Sequence, residues 1–280
     1  VGRFEPGGLV IMAKMSVYEV ITTKIISLIE SGKLDWRKTW SMKAPVNYVS
    51  EKPYNGINFI MLAFSGEKSP YWLTYKQATE LGGNVMKGAK GYPVCFYTLK
   101  EDEDSTPEKP KKHGVFKYYT VFNLSQCENI PAKDDPVQDV KSKDEIMEMV
   151  SRHNPEIIRG RPAYNPGKDI IKMPNPEEFE SSDAYWKTFF HELTHWTGHE
   201  SRLARDGVME INEFGSESYS KEELIAELGS AFLSMKFNLS EVGEQEAAYI
   251  QSWIKPLKDD PKMIIQAASK AQKAMEYLIN

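Results

Sequence analysis

The stretch FFHELTHWTGHE, residues 189–200, constrains this chain more than any other segment. It gathers His191, Glu192, His195 and His199 in a protein that has only 5 histidines. A four-residue step is just over one turn of α-helix, so His191 and His195 leave one helix face close enough to hold one ion. Glu192, beside the first histidine, then lies within reach of water at that ion, which is the HExxH arrangement. The flanking pattern agrees: from Ser182 the apolar spacing is helical, with Asp183 in the first turn and Gly198 near the end.

A catalytic zinc takes three protein ligands and leaves one position for water. The two cysteines, Cys95 and Cys127, form no CxxC pair, so the third ligand is expected to be a carboxylate. SKEELIAELGSAFLSM supplies Glu222, Glu223 and Glu227, of which Glu223 and Glu227 share a helix face one turn apart. One of them can bind metal while the other orients a ligand histidine, and helix position alone does not separate the two. Ser220 and Glu223 also fit a capping box. Ala226, Gly229, Ser230 and Ala231 are small and would let this helix approach the first closely. His199 falls one turn beyond His195 near the helix end, which predicts a helix-terminal or outer role rather than ligation; Ser201 occupies the position where a metzincin has its third histidine. The expected reaction is peptide hydrolysis, with Glu192 taking the proton of the attacking water and passing it to the leaving amine. Tyr219 is a candidate donor to the tetrahedral oxyanion, and the strand near residues 164–173 a candidate edge for an extended peptide. One Zn2+ is the expected cofactor, with Mn2+ as the alternative.

The N-terminal half has a different character. Residues 1–130 carry 17 Lys and Arg against 13 Asp and Glu, whereas the whole chain has a net charge of -5. Lys52, Lys76, Lys87 and Lys90 interleave with Tyr54, Trp72, Tyr75, Tyr92 and Tyr97, the ingredients of a basic groove with aromatic faces for single-stranded nucleic acid.

Periodicity predicts an α+β protein of two domains, 16–134 and 135–280. A helix is expected over 16–31, and YWLTYKQATELGG reads as a strand end followed by a short helix. Two aromatic strands flank the acidic loop EDEDSTPEKPKKHG in a long hairpin. After a polar linker come a helix near 143–153, two short strands around NPGKD, the HExxH helix, a helix from about Tyr219 to Phe237, and two closing helices. The first residues lack a secretory pattern, which makes Met12 or Met15 a candidate start. No apolar run approaches a membrane span, so no membrane partner is expected, and the sparse cysteines favour the cytoplasm.

ELIAE resembles the ExxAE or ExxAD helix of zinc peptidases of the glutamate-ligand type, a likeness that makes Glu223 the metal ligand and Glu227 the outer acid. A wider resemblance runs in order over residues 16–278. KPYNGIN, SPYWLTYKQATELGGNVMKGAKG and VFNLSQ are similar to the N-terminal domain of ArdC-type antirestriction proteins, and HELTHWTGHESRL, YSKEELIAELGSAFL and AAYIQSWI to their metallopeptidase-like domain. This implies sequence-independent binding of single-stranded DNA by the first domain and a zincin fold in the second, related to proteases of DNA–protein crosslinks. It also implies protection of incoming mobile DNA from restriction, with DNA-bound proteins as substrate. The alternative is a non-catalytic module that shields DNA by occupancy and uses its metal structurally. The acidic loop departs from a DNA-binding character and could gate binding.

Overall fold

The computed structural model describes residues 15–34, 44–101, 112–134, 136, 141–209, 217–239 and 251–280. The candidate starts Met12 and the acidic residues 102–108 lie outside them, whereas Met15 is half-buried just before the first helix.

Helix α1 (Val17–Glu30) opens on a reciprocal cap. Ser16 Oγ accepts from the Glu19 N–H while the Glu19 carboxylate accepts from the Ser16 N–H. Its apolar face, including Val20, Ile21, Ile25 and Ile29, is buried. There follow β1 (Val46–Asn47), α2 (Gly56–Ala63), β2 (Tyr71–Thr74), α3 (Tyr75–Glu80), β3 (Asn84–Val85), β4 (Tyr92–Glu101), β5 (Lys112–Asn123) and β6 (Cys127–Glu128). Strand order in the main sheet is β1-β2-β5-β4, with β1 parallel to β2 and the other pairs antiparallel. The β4–β5 hairpin keeps one register from Tyr92↔Val121 to Glu101↔Lys112, as the flanking aromatic strands lead one to expect. The apolar run INFIMLAF forms α2 and buries Ile57, Ile60, Met61 and Leu62.

The second half contains α4 (Asp144–His153), β7 (Glu156–Arg159), β8 (Ala163–Asn165), β9 (Ile170–Met173), α5 (Ser182–Trp196), α6 (Asp206–Met209), α7 (Glu217–Lys236), α8 (Ile254–Asp259) and α9 (Met263–Ile279). Three strands stand where sequence suggested two. The order is β7-β9-β8, with β7 parallel and β8 antiparallel to β9. All four β7 residues are exposed, so no buried-face alternation announces that strand. Helix α7 begins at Glu217, so Ser220 lies inside it and the capping-box reading is incorrect.

Two of the three apolar clusters among the described residues bear on the second half. The one beneath α5 joins Ile146, Met149, Ile171, Phe189, Phe190, Leu193, Leu233 and Phe237. The other crosses between the two domains: Ile21, Ile25, Ile60 and Trp72 pack with Leu224, Ile225, Leu228 and Phe232 of α7 and with Ile264 and Ala268 of α9. Phe59 meets Phe232 edge to face at 6.0 Å. Among the described residues no helix is long and apolar enough to cross a membrane.

Candidate functional site

Helices α5 and α7 meet closely because Gly229 has no side chain. A Cβ there would stand 2.5 Å from Thr194 Cγ2. Thr194 is itself pinned, its hydroxyl donating to the Phe190 carbonyl at 2.7 Å, and Ser230 Oγ donates to the Lys187 carbonyl at 2.8 Å. This approach brings carboxylates of α7 against the histidines of α5. The Nε2 atoms of His191 and His195 lie 3.2 Å apart, with ring planes inclined at 77°. Glu223 faces both rings, and one donor atom from each of His191, His195 and Glu223 falls within 4.8 Å of the others. Two imidazoles and one carboxylate make three donors, a number that would leave a tetrahedral ion one open position.

The charges suit that arrangement. Burial acts to raise the Glu223 carboxyl, but hydrogen bonds and charge from His191 and His195 hold it well below the usual carboxylate range. Burial acts to lower His195, and its bonds to Glu222 and Glu223 raise it to about 10. Glu192 is 8% exposed, and desolvation pushes its carboxyl upward against the opposing charges of His191 and His195. The Tyr164 backbone of β8, the edge strand of its sheet, also works against that rise.

Each histidine is backed by a different acid. Glu227 Oε1 lies 3.7 Å from His191 Nδ1, while Glu222 Oε1 lies 3.4 Å from His195 Nδ1. Glu222 is buried and gripped by Arg205, whose Nε stands 3.1 Å from both carboxylate oxygens. His199 sits apart from the donor set, in the turn after α5, where its Nδ1 pairs with Ser201 Oγ at 2.9 Å and accepts from the Ser201 N–H. These bonds hold it within that turn. Tyr219 lies in the first turn of α7, and its side chain falls outside the described residues.

The expected DNA residues divide sharply. Trp72 is 1% exposed, edge to face with Tyr92 at 5.3 Å, and Tyr54 is 8% exposed with its hydroxyl accepting from Asn47. Neither can offer a ring face to a base, because both complete the core beside the main sheet. Tyr75, Lys52, Lys76, Lys87 and Lys90 are exposed. The solvent-facing aromatics concentrate instead on the β4–β5 hairpin, in Phe96, Tyr97, Tyr118 and Tyr119. Register and alternation put Phe96, Lys117 and Tyr119 on one face, with Phe96 and Tyr119 ring centroids 5.5 Å apart. Tyr97, Phe116 and Tyr118 occupy the other, where Tyr97 packs on Phe116 at 4.7 Å.

Residues 15–122 match the family described as the N-terminal domain of anti-restriction factor ArdC, and residues 144–270 the family described as zincin-like metallopeptidase. The crystal structure of the antirestriction ArdC protein from the R388 plasmid, metal-free, superposes with a TM-score of 0.75 at 39% identity, covering 94% of this chain and 97% of that one. The chain belongs to the ArdC antirestriction family. A Mn(II)-bound structure of the R388 ArdC protein gives the same TM-score at 38% identity. The protein y4eC of Sinorhizobium fredii is 32% identical over 94% of this chain and 91% of its own length. Two DNA primase TraC proteins of Escherichia coli are each 34% identical over 95% of this chain, which spans only 20% and 27% of their lengths. In this ArdC-family chain the converging donors lie in the zincin-like segment, and the aromatic hairpin lies in the ArdC N-terminal segment. Phe96, Tyr118, Tyr119 and Arg205 escaped the sequence reading, and Glu222 appeared there only as one acid among three.

Proposed function

We propose that residues 16–134 hold single-stranded DNA and that residues 135–280 form a metal-dependent peptidase acting on DNA-associated proteins. The peptidase reading is carried by one observation, the convergence of His191, His195 and Glu223 beside the buried carboxylate of Glu192. His191, His195 and Glu223 would hold one divalent ion, and their nitrogen and oxygen donors fit zinc or manganese. When bound, such an ion supplies Lewis acidity toward a carbonyl oxygen and toward water.

The chain's own residues do the rest. Glu192, made more basic by burial, takes the proton of the attacking water and hands it to the departing amine. The β8 edge, whose Tyr164 backbone bears on that carboxylate, offers backbone groups along which an extended peptide can lie. On the DNA side, Phe96 and Tyr119 give a stacking surface with Lys117 beside it, and Lys52, Lys76, Lys87 and Lys90 are exposed where phosphates can meet them, Lys76 beside Glu80 at 3.5 Å.

The test is Glu192→Gln, assayed for bound metal, for retention of an unstructured oligonucleotide, for cleavage of a protein bound to that oligonucleotide, and for protection against restriction. Metal and DNA binding are expected to persist while cleavage and protection fall together. Protection that survives loss of cleavage would instead support shielding by occupancy with a structural metal.

A further inference from the structure

We propose that Glu222, locked by Arg205, is the positioning residue that fixes His195 for metal binding; this rests on the metal-centre reading above. His195 directs Nε2 toward His191 and Glu223 and turns its other nitrogen, Nδ1, toward Glu222 Oε1 at 3.4 Å. An imidazole that gives Nε2 to an ion keeps its proton on Nδ1, and the acceptor for that proton sets both the tautomer and the ring angle. Glu222 is that acceptor.

The acid is held with little freedom. Arg205 donates from Nε to both Glu222 oxygens at 3.1 Å and from Nη2 to Oε1 at 2.6 Å. Its remaining donors return to the end of α5, with Nη1 to Thr197 Oγ1 at 2.8 Å and Nη2 to the Thr194 carbonyl at 2.6 Å. The chain of contacts therefore closes on itself: His195 to Glu222, Glu222 to Arg205, and Arg205 back to the helix that carries His195. Gly198 makes the closure sterically possible, since a Cβ there would come within 2.7 Å of Arg205 Nη2.

Desolvating two full charges costs more than an ion pair usually returns, so stability alone is a weak reason for Arg205 and Glu222 to be 5% exposed each. A neutral, rigid pair is suited to another task. It supplies a directional acceptor to His195 without adding net charge beside the donor set. Glu227, the outer acid that sequence resemblance favours, differs in kind: it lies 3.7 Å from His191 Nδ1, and its side chain is 20% exposed against 6% for Glu222.

The experiment is Mn(II) titration calorimetry on the metal-stripped full chain and on Glu222→Gln and Arg205→Lys, with thermal unfolding of each metal-free protein as the fold control. Glu222→Gln is expected to weaken Mn(II) about 10- to 100-fold, and Arg205→Lys in the same direction, because an ammonium cannot fork to both oxygens. In the Zn(II)-loaded protein the downfield Nδ1 proton resonance of His195 should move upfield in Glu222→Gln. A purely structural pair would lower the unfolding temperature yet leave the dissociation constant and that resonance unchanged, which overturns the proposal. Should Glu222→Gln not fold, Arg205→Lys and Glu222→Asp are scored by the same two readouts. Wild-type protein that binds neither ion would instead defeat the metal-centre reading itself.

Discussion

Glu223 stands between two imidazoles, with Oε2 3.5 Å from His191 Nε2 and Oε1 3.5 Å from His195 Nε2. Glu227 faces the far side of His191, its Oε1 3.7 Å from Nδ1. The two acids left open by helix phase are thereby assigned different expected effects. Glu223→Gln should lower Mn(II) or Zn(II) affinity by about 100-fold or more, and Glu227→Gln by about tenfold. Calorimetric titration checks this, and equal losses would reverse the choice of ligand.

Removing the ion exposes a pH dependence whose sign is fixed. Burial acts to lower His195, but Glu222 and Glu223 raise it from the ordinary 6.5 to about 10, so its protonated form stabilises the metal-free fold. That contribution is complete below about 6.5 and is lost as pH climbs through about 10. In chelator, the thermal midpoint should decline across this window. Metal affinity should rise over the same range, because binding displaces the His195 proton. A midpoint in chelator that is flat from pH 7 to 10 would contradict the expectation.

Two aromatic substitutions separate stacking from packing. Phe96→Ala should leave stability nearly unchanged while weakening oligonucleotide binding by about 1–3 kcal/mol, the usual loss for one stacked base. Trp72→Ala should destabilise the fold by about 3–5 kcal/mol through the cavity it leaves. Gel-shift titration and chemical denaturation measure the two quantities, and the salt dependence of binding reports the lysine contacts.

Gly229→Ala tests the helix contact that brings the donors together. The new methyl group meets Thr194 Cγ2 at 2.5 Å, so α7 must retreat from α5. Overpacking of this sort costs about 1–3 kcal/mol, and the retreat should also weaken metal binding. Unfolding curves with and without Mn(II) resolve the two effects.

Local pattern revealed most of the helices and the candidate ligands, because a four-residue step and an apolar stripe are properties of the chain itself. HExxH is legible for that reason, and so are helix α1 and the hairpin of β4 and β5. The choice among Glu222, Glu223 and Glu227 depends on the rotation of α7 against α5, which the Gly229 contact sets and no spacing rule encodes. Arg205 joins the site through a turn after the helix, beyond the reach of periodicity. The burial of Trp72 is illegible for a related reason. Trp72 and Phe96 both belong to aromatic strands, and only the burial of β2 in the sheet interior against the edge position of β4 tells them apart.

Helix α7 is a party wall. One side presents glutamates to the histidines, and the other beds Leu224, Leu228 and Phe232 among residues of α1 and α2. Severing the chain near residue 135 would strip an oily flank from each piece, so neither half is portable: a peptidase fragment expressed alone is expected to be sticky and loosened at the helix that carries Glu223.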